Sequence, residues 1–305
     1  MSFLPFALIA YFLIALNVAL DKIILKKAMP SPVTYCFYVG LMSIFGLVFA
    51  PFGRVWYGPI EALYGLIVGA IFMLAIYLMY KALFTCEASR VGPIIGAITP
   101  VFVALFSILF LGEHLRGKSF LAFILLVAGG VLITLDLRER KNWISIDPKN
   151  KKLILTVLAS ALVFGIYYVL LKGIFNDQNF VAGLVWTRVG AFLASFLFLI
   201  SAKNRKLIFS NSQKTKLSSG GLIVANKAMS GVAFALLNYA IALGNVAIVN
   251  AMQGIQYVFL LILVVLFSKF YPKILNEEMG GGILAQKFIA IMLIGAGLLM
   301  IGASH

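Results

Sequence analysis

The chain has 305 residues, 63% of them hydrophobic and only 11% charged, with a mean hydropathy of +1.06. Water-soluble domains carry about a quarter charged residues, so this balance excludes an ordinary soluble protein and points to one that lives in a bilayer. The formal charge of +15 is compatible with nucleic acid, but the lysines and arginines fall in short segments between apolar runs, where membrane phosphates meet them first.

About 20 apolar residues cross a bilayer as a helix, and that ruler predicts ten spans. The first covers 4–24. Its sequence, MSFLPFALIAYFLIALNVALDKIILKK, lacks the basic start and cleavage site of a secretory signal and reads as a transmembrane helix. Spans two to five are expected at 33–52, 62–81, 91–111 and 119–136. Spans six to ten are expected at 153–172, 180–201, 221–243, 246–267 and 284–302. LRERKNWISIDPKNKK and AKNRKLIFSNSQKTK read as basic linkers. Prolines 30, 32, 51, 59, 148 and 272 fall at ends or in loops, where they cost no helical hydrogen bond.

The two sets of five spans resemble each other. A shift of 150 residues lays Lys22 on Lys172 and Tyr38-Val39-Gly40 on Arg188-Val189-Gly190, and a shift of 159 lays Tyr80 on Tyr239 and Ala88 on Ala247. AGGVLIT at 128–134 matches GAGLLMIG at 295–302. The expected organisation is a five-helix unit at 1–137, a basic linker at 138–152 and a second five-helix unit at 153–305. An odd number of spans turns the second copy upside down. The expected fold is therefore an all-α polytopic membrane protein of ten transmembrane helices in two inverted repeats, an architecture that favours transport by alternating access.

On these residues the chain resembles the drug/metabolite transporter superfamily, in its EamA-like ten-helix form. The resemblance is carried by Lys22, by Ser31-Pro32 at the start of the second span, and by ALFTCEASRVGPIIGAITPVFVALFSILFLGEHL at 82–115. Within that stretch Thr99-Pro100 and Gly112-Glu113 are the most family-like features; the glycine-rich fifth and tenth spans complete the pattern. Three departures stand out. Tyr38 replaces the arginine typical of the second span, Phe259 stands where the second repeat would match Pro100, and Glu277-Glu278 lies in a longer loop.

Arg188 is the one cation expected well inside a span, about 12 Å along the helix from its start. Either it snorkels to the interface, or it faces an aqueous interior and offers a planar fork to a carboxylate or phosphate. Lys22, Lys172 and Lys227 lie nearer span ends and are candidate cations at the cavity edge, with snorkelling as the alternative. In the ninth span Asn250, Gln253, Gln256 and Tyr257 share about a third of the helix circumference. A polar stripe must avoid lipid, so it serves helix packing or solute contact. Asn238 shares a face with Ser230 and Phe234, and Asn17 lies one turn from Asp21. Tyr38, Tyr77, Tyr80 and Tyr239 supply aromatic walls that also donate hydrogen bonds. Trp186 reads as packing or an interface anchor, and Gly65 with Gly69, and Ala88 with Gly92 and Gly96, as small-residue contact faces.

No catalytic cluster, metal site or cofactor motif is expected. Cys36 and Cys86 read as packing residues, His114 and His305 are the two histidines, and HExxH and GxSxG do not occur. No acidic residue falls deep in a span, which favours uncoupled transport over proton exchange. The odd-numbered connections carry most of the lysines and arginines, against Arg54, Arg116, Lys118 and Lys172 opposite. By the positive-inside rule both termini then lie outside the cytoplasm, whereas members of the resembled family are generally drawn with both inside. The sequence reads as a multi-pass plasma-membrane transporter of a small polar metabolite, an amino acid or related organic anion. A phosphorylated-sugar or nucleotide-sugar exchanger and a non-transporting scaffold are the alternatives. The expected partners are the solute, the lipid bilayer and, in a homodimer, a second copy, but not nucleic acid.

Overall fold

The computed structural model describes residues 2–24, 31–84, 88–134, 148–211, 220–268 and 281–303. Every regular element among them is a helix, the form that satisfies backbone hydrogen bonds without water. In chain order these are α1 (Leu4–Ile24), α2 (Pro32–Met42, continued as a 3-10 helix over Ser43–Phe52), α3 (Pro59–Leu83), α4 (Ala88–Phe106, continued by a π turn over Ser107–Leu111) and α5 (Lys118–Thr134). Then come α6 (Pro148–Asp177), α7 (Phe180–Ser195, with a 3-10 tail Phe196–Leu199), α8 (Ala202–Asn211), α9 (Gly220–Leu243), α10 (Val246–Ala251), α11 (Gln253–Ser268) and α12 (Gly281–Gly302).

Among the described residues, seven helical stretches are long and apolar enough to cross a membrane. Three shorter apolar helices accompany them, at Leu4–Leu20, Lys118–Thr134 and Ala228–Leu243. Local chemistry sets several starts. Ser31 caps α2, its Oγ accepting from the Thr34 amide at 3.1 Å ahead of Pro32 in the first turn. Asn179 caps α7 through the Ala182 amide at 2.7 Å. Asn245 caps α10 through the amides of Ala247 and Ile248.

Three expectations change. AKNRKLIFSNSQKTK is not simply a linker, because its first part folds as α8, which buries Ile208 and packs on α2, with the Leu207 carbonyl accepting from Thr34 Oγ1 at 3.3 Å. A single apolar side chain anchoring a basic turn escapes a search for long apolar runs. The ninth span crosses as one stretch, Val246–Leu266, but a turn at Met252 divides it into α10 and α11. Helix α6 begins at Pro148, inside the expected linker 138–152; residues 138–147 lie outside the described residues.

Packing runs across the chain rather than within each half. α1 lies against α9 and α11, α6 lies against α3 and α4, and α5 pairs with α12. α3 and α7 approach backbone to backbone. A Cβ added at Gly69 would stand 2.6 Å from the Ala191 nitrogen, and one at Gly65 would meet the Trp186 side chain. Gly190 reciprocates against the Leu66 backbone. Trp186 fastens the same seam by donating from Nε1 to the Val55 carbonyl at 2.9 Å. Gly231 on α9, in contrast, has open space where a Cβ would sit.

Those two glycines give a paired prediction. Gly69→Ala meets backbone that cannot yield and is expected to destabilise by about 1–3 kcal/mol. Gly231→Ala gains about 0.5–1 kcal/mol from helix propensity. Melting in detergent or nanodiscs measures both; a stable Gly69→Ala protein would refute the seam.

Candidate functional site

Four helices meet at Arg188. It is 8% exposed, so it points into the bundle and not towards lipid or an interface. The snorkelling reading is thereby excluded. Its aliphatic stem rests on Gly46 of the 3-10 segment after α2, where a Cβ would stand 2.7 Å from the arginine Cβ. The guanidinium carbon lies 4.4 Å from the ring centre of Phe72 on α3 and 4.0 Å from that of Phe234 on α9. Two cation–π contacts in a desolvated setting stabilise by about 1–2 kcal/mol each. Nη2 donates to the Tyr167 hydroxyl on α6 at 3.2 Å, while Nε has no hydrogen-bond partner among the described residues.

Tyr167 is fully buried, with ring contacts to Phe72 at 5.0 Å and Tyr168 at 5.1 Å. Tyr168 is near enough to Tyr11 of α1 and to Arg188 to interact electrostatically with both. Tyr11 donates to the Val249 carbonyl on α10 at 2.7 Å. Sequence reasoning missed Tyr11, Tyr167, Tyr168 and Phe72. The available signal was the pair of hydroxyls in GIYYVLL, which an apolar helix cannot leave unbonded.

The other expected residues are spread over several places. Asn238 is 1% exposed and sits one turn after Phe234, whose carbonyl accepts from its Nδ2 at 2.8 Å. That bond fixes the amide's orientation, and Oδ1 is left without a partner among the described residues. Asn17 on α1 donates to both the carbonyl and the side-chain oxygen of Asn226 on α9, each at 2.8 Å. Asn250 turns back on its own helix, donating to the Val246 carbonyl at 2.9 Å. Tyr257 donates to the Gly92 carbonyl of α4 at 3.4 Å, and Gln253 lies against Gly96. The polar stripe of the ninth span therefore serves packing on α4 at two of its positions, and the break at Met252 separates Asn250 from the rest.

Tyr80 packs on Tyr35 at 4.2 Å, Tyr77 on Phe198 at 5.6 Å, and Tyr239 between Phe6 and Phe180. Tyr38 is exposed, edge-on to Phe37. Lys172 does not snorkel; it is 6% exposed and donates to the Ala242 carbonyl at 3.0 Å. The side chains of Lys22, Asp21 and Lys227 lie outside the described residues, as does Cys86. An apolar groove of about 360 Å³ between α11 and α12 is lined by Leu261, Val265, Leu284, Phe288 and Ile291, with Lys287 its one charged residue. It offers nothing to orient a polar solute, so the arrangement around Arg188 and Asn238 is the candidate site.

Residues 1–135 match the model of the EamA-like transporter family. No curated protein matches the chain. A solved structure described as "Crystal structure of protein" shares the fold, with a TM-score of 0.68 and 18% identity over 97% of this chain and 94% of that one.

The Arg188–Tyr167 contact makes a prediction of its own. Tyr167→Phe removes the acceptor of a buried charged donor and is expected to cost about 1.5–3 kcal/mol. In an Arg188→Met background the same change should cost about nothing. Melting temperatures of the four proteins close the cycle, and equal costs in both backgrounds would dissolve the pair.

Proposed function

We infer that this chain, with its EamA-like first unit, is a multi-pass membrane transporter of the drug/metabolite type that carries a small metabolite bearing a carboxylate, an amino acid or a related organic anion. Ten spans in two inverted five-helix halves would move it by alternating access. Support comes from the seven long spans and three shorter apolar helices, and from the order of packing. Exchanging each span with its counterpart five spans on turns the α1–α9 contact into α6–α3 and α1–α11 into α6–α4, while α5–α12 maps on itself. Two copies of one unit facing each other pack in this way. The charge asymmetry of the connections would set both termini outside the cytoplasm of a plasma membrane.

The observation that carries the reading is a donor and an acceptor left unmatched in the same dry interior. Arg188 Nε needs an acceptor and Asn238 Oδ1 needs a donor, and Phe234 touches both residues, its ring lying on the guanidinium and its carbonyl accepting from Asn238. Buried polar groups are otherwise nearly always bonded. A carboxylate would satisfy the arginine fork, and an ammonium or N–H on the same solute would satisfy the asparagine. A phosphorylated sugar would meet the same two groups with its phosphate and a hydroxyl, so it stands as the alternative solute. A helix-packing scaffold has no use for either orphan. Members of the matched family are transporters, and the chain carries no catalytic motif to argue against that.

Arg188→Ala is expected to reduce transport of the cognate solute at least about a hundredfold while the protein still inserts and folds. Arg188→Lys should not restore it, because a point charge does not replace a planar fork between two rings. Counterflow of labelled amino and organic acids in proteoliposomes measures both; unchanged transport in Arg188→Ala would remove it from the site. The same assay run without a pH gradient should still show flux, since no described carboxylate lies deep in a span. Strict dependence on the gradient would defeat the uncoupled reading.

A further inference from the structure

The Gly112-Glu113 turn, a family-like ending to the fourth span by sequence, has a task at a distance. The π turn closes at Gly112, whose φ of 64° lies in the left-handed region that glycine enters without strain. The Gly112 and Glu113 amides both return to the Ser107 carbonyl. That reversal aims the Glu113 carboxylate at the start of α10. Its Oε2 accepts from the Asn245 side-chain amide at 2.8 Å and from the Val246 amide at 3.3 Å. Asn245 then caps the amides of Ala247 and Ile248. On the other side of the corner, Lys172 of α6 bonds the Ala242 carbonyl in the last turn of α9. An acid at a helix start and a cation at a helix end are each placed where the helix dipole favours them.

We propose that Glu113 and Lys172 are a positioning pair that staples the α9–α10 corner and so holds α10, with Asn250 and the Val249 carbonyl that receives Tyr11, in register at the interior site. The word "site" here rests on the transporter reading; the staple itself does not. Neither residue touches the solute. Lys172 is the charged group that faces Glu113 from a neighbouring span, Asn245 and the Val246 amide face it from the corner, and His114 and Arg116 follow on its own loop, exposed. Burial raises the Glu113 carboxyl above its ordinary range, and Lys172 and the Val246 amide offset part of that rise. A closed corner therefore holds the proton more tightly than a released one with the carboxyl in water. The linkage follows: the corner is tightest below the ordinary carboxyl range and loosens as pH rises through the raised value.

Hydrogen exchange of the 243–251 amides, in the full chain in nanodiscs without solute, tests the staple. After correction for intrinsic rates, wild-type exchange should rise with pH. Glu113→Gln keeps an acceptor oxygen and cannot ionise, so its corner should stay protected and flat with pH. Glu113→Ala should exchange about tenfold faster throughout. Lys172→Met should exchange faster than wild type near neutral pH, where the carboxylate loses its neighbouring charge. An alanine variant matching wild type, or a glutamine variant behaving like alanine, would overturn the staple. For the positioning role, a cysteine at Asn250, in a background lacking the two native cysteines, should react faster with an aqueous thiol reagent when Glu113 is alanine; equal rates would overturn it. No solute enters either measurement, so a failed transport reading leaves both results standing.

Discussion

A guanidinium inside a bilayer is the constraint from which the rest of the structure follows. On lenient scales it costs a few kcal/mol at the centre of a helix, and Arg188 is too far along α7 and too well covered to escape to the surface. Two aromatic faces and one hydroxyl offset part of that cost. They come from α3, α9 and α6, elements of both halves of the chain. None of these elements could bury the arginine alone, so the charge ties together segments from distant parts of the chain.

Bringing α7 close enough demands absent side chains. Gly46 lets the arginine stem lie down, and Gly65, Gly69 and Gly190 let α3 and α7 touch backbone to backbone. Without a hydrophobic driving force between helices in lipid, such contact relies on dispersion and interhelical bonds. Trp186 and Asn179 add two, reaching the Val55 and Arg54 carbonyls. The glycine seam and the buried arginine are thus one design. The seam sets the depth at which the charge sits, and the charge fixes the rotation of the helix that the seam allows.

Much of this was legible in the sequence because lipid imposes a simple ruler. Apolar length located every long helix to within a few residues, and the i, i+4 spacing of Gly65 and Gly69 announced a contact face. What escaped has physical reasons. α8 buries Ile208 among exposed and basic neighbours, so hydropathy averages over it. Met252 breaks the ninth span with no proline or glycine at the break, because the cap at Asn245 and the Tyr11 bond to Val249 fix the short α10 tertiarily. Arg188 was legible as a residue needing a reason, yet its partners were not. Phe72, Phe234 and Tyr167 are far apart in sequence, and an apolar helix full of aromatics gives no sign of which ring will meet a cation. Tyr38, Tyr77 and Tyr80 stand out in the sequence by the repeat alignment and as aromatic donors, signals that do not tell which ring each will pack on; they meet Phe37, Phe198 and Tyr35.

The polar groups of the interior also differ in kind, and the difference bears on what they do. The Asn250 amide nitrogen bonds back within one turn, and Asn17 bonds Asn226 between α1 and α9. Such bonds hold helices in place. Among the described residues, Arg188 and Asn238 are open, each bonded on one side and unmatched on the other. Both touch Phe234, the arginine at its ring and the asparagine at its carbonyl, and replacing either with an apolar side chain would remove the cost of an unmet group. Retaining both makes sense where a third body completes them. On the proposed transporter reading the solute must also leave, so the unmatched state has to be tolerable, and the rings beside the guanidinium offset part of its cost.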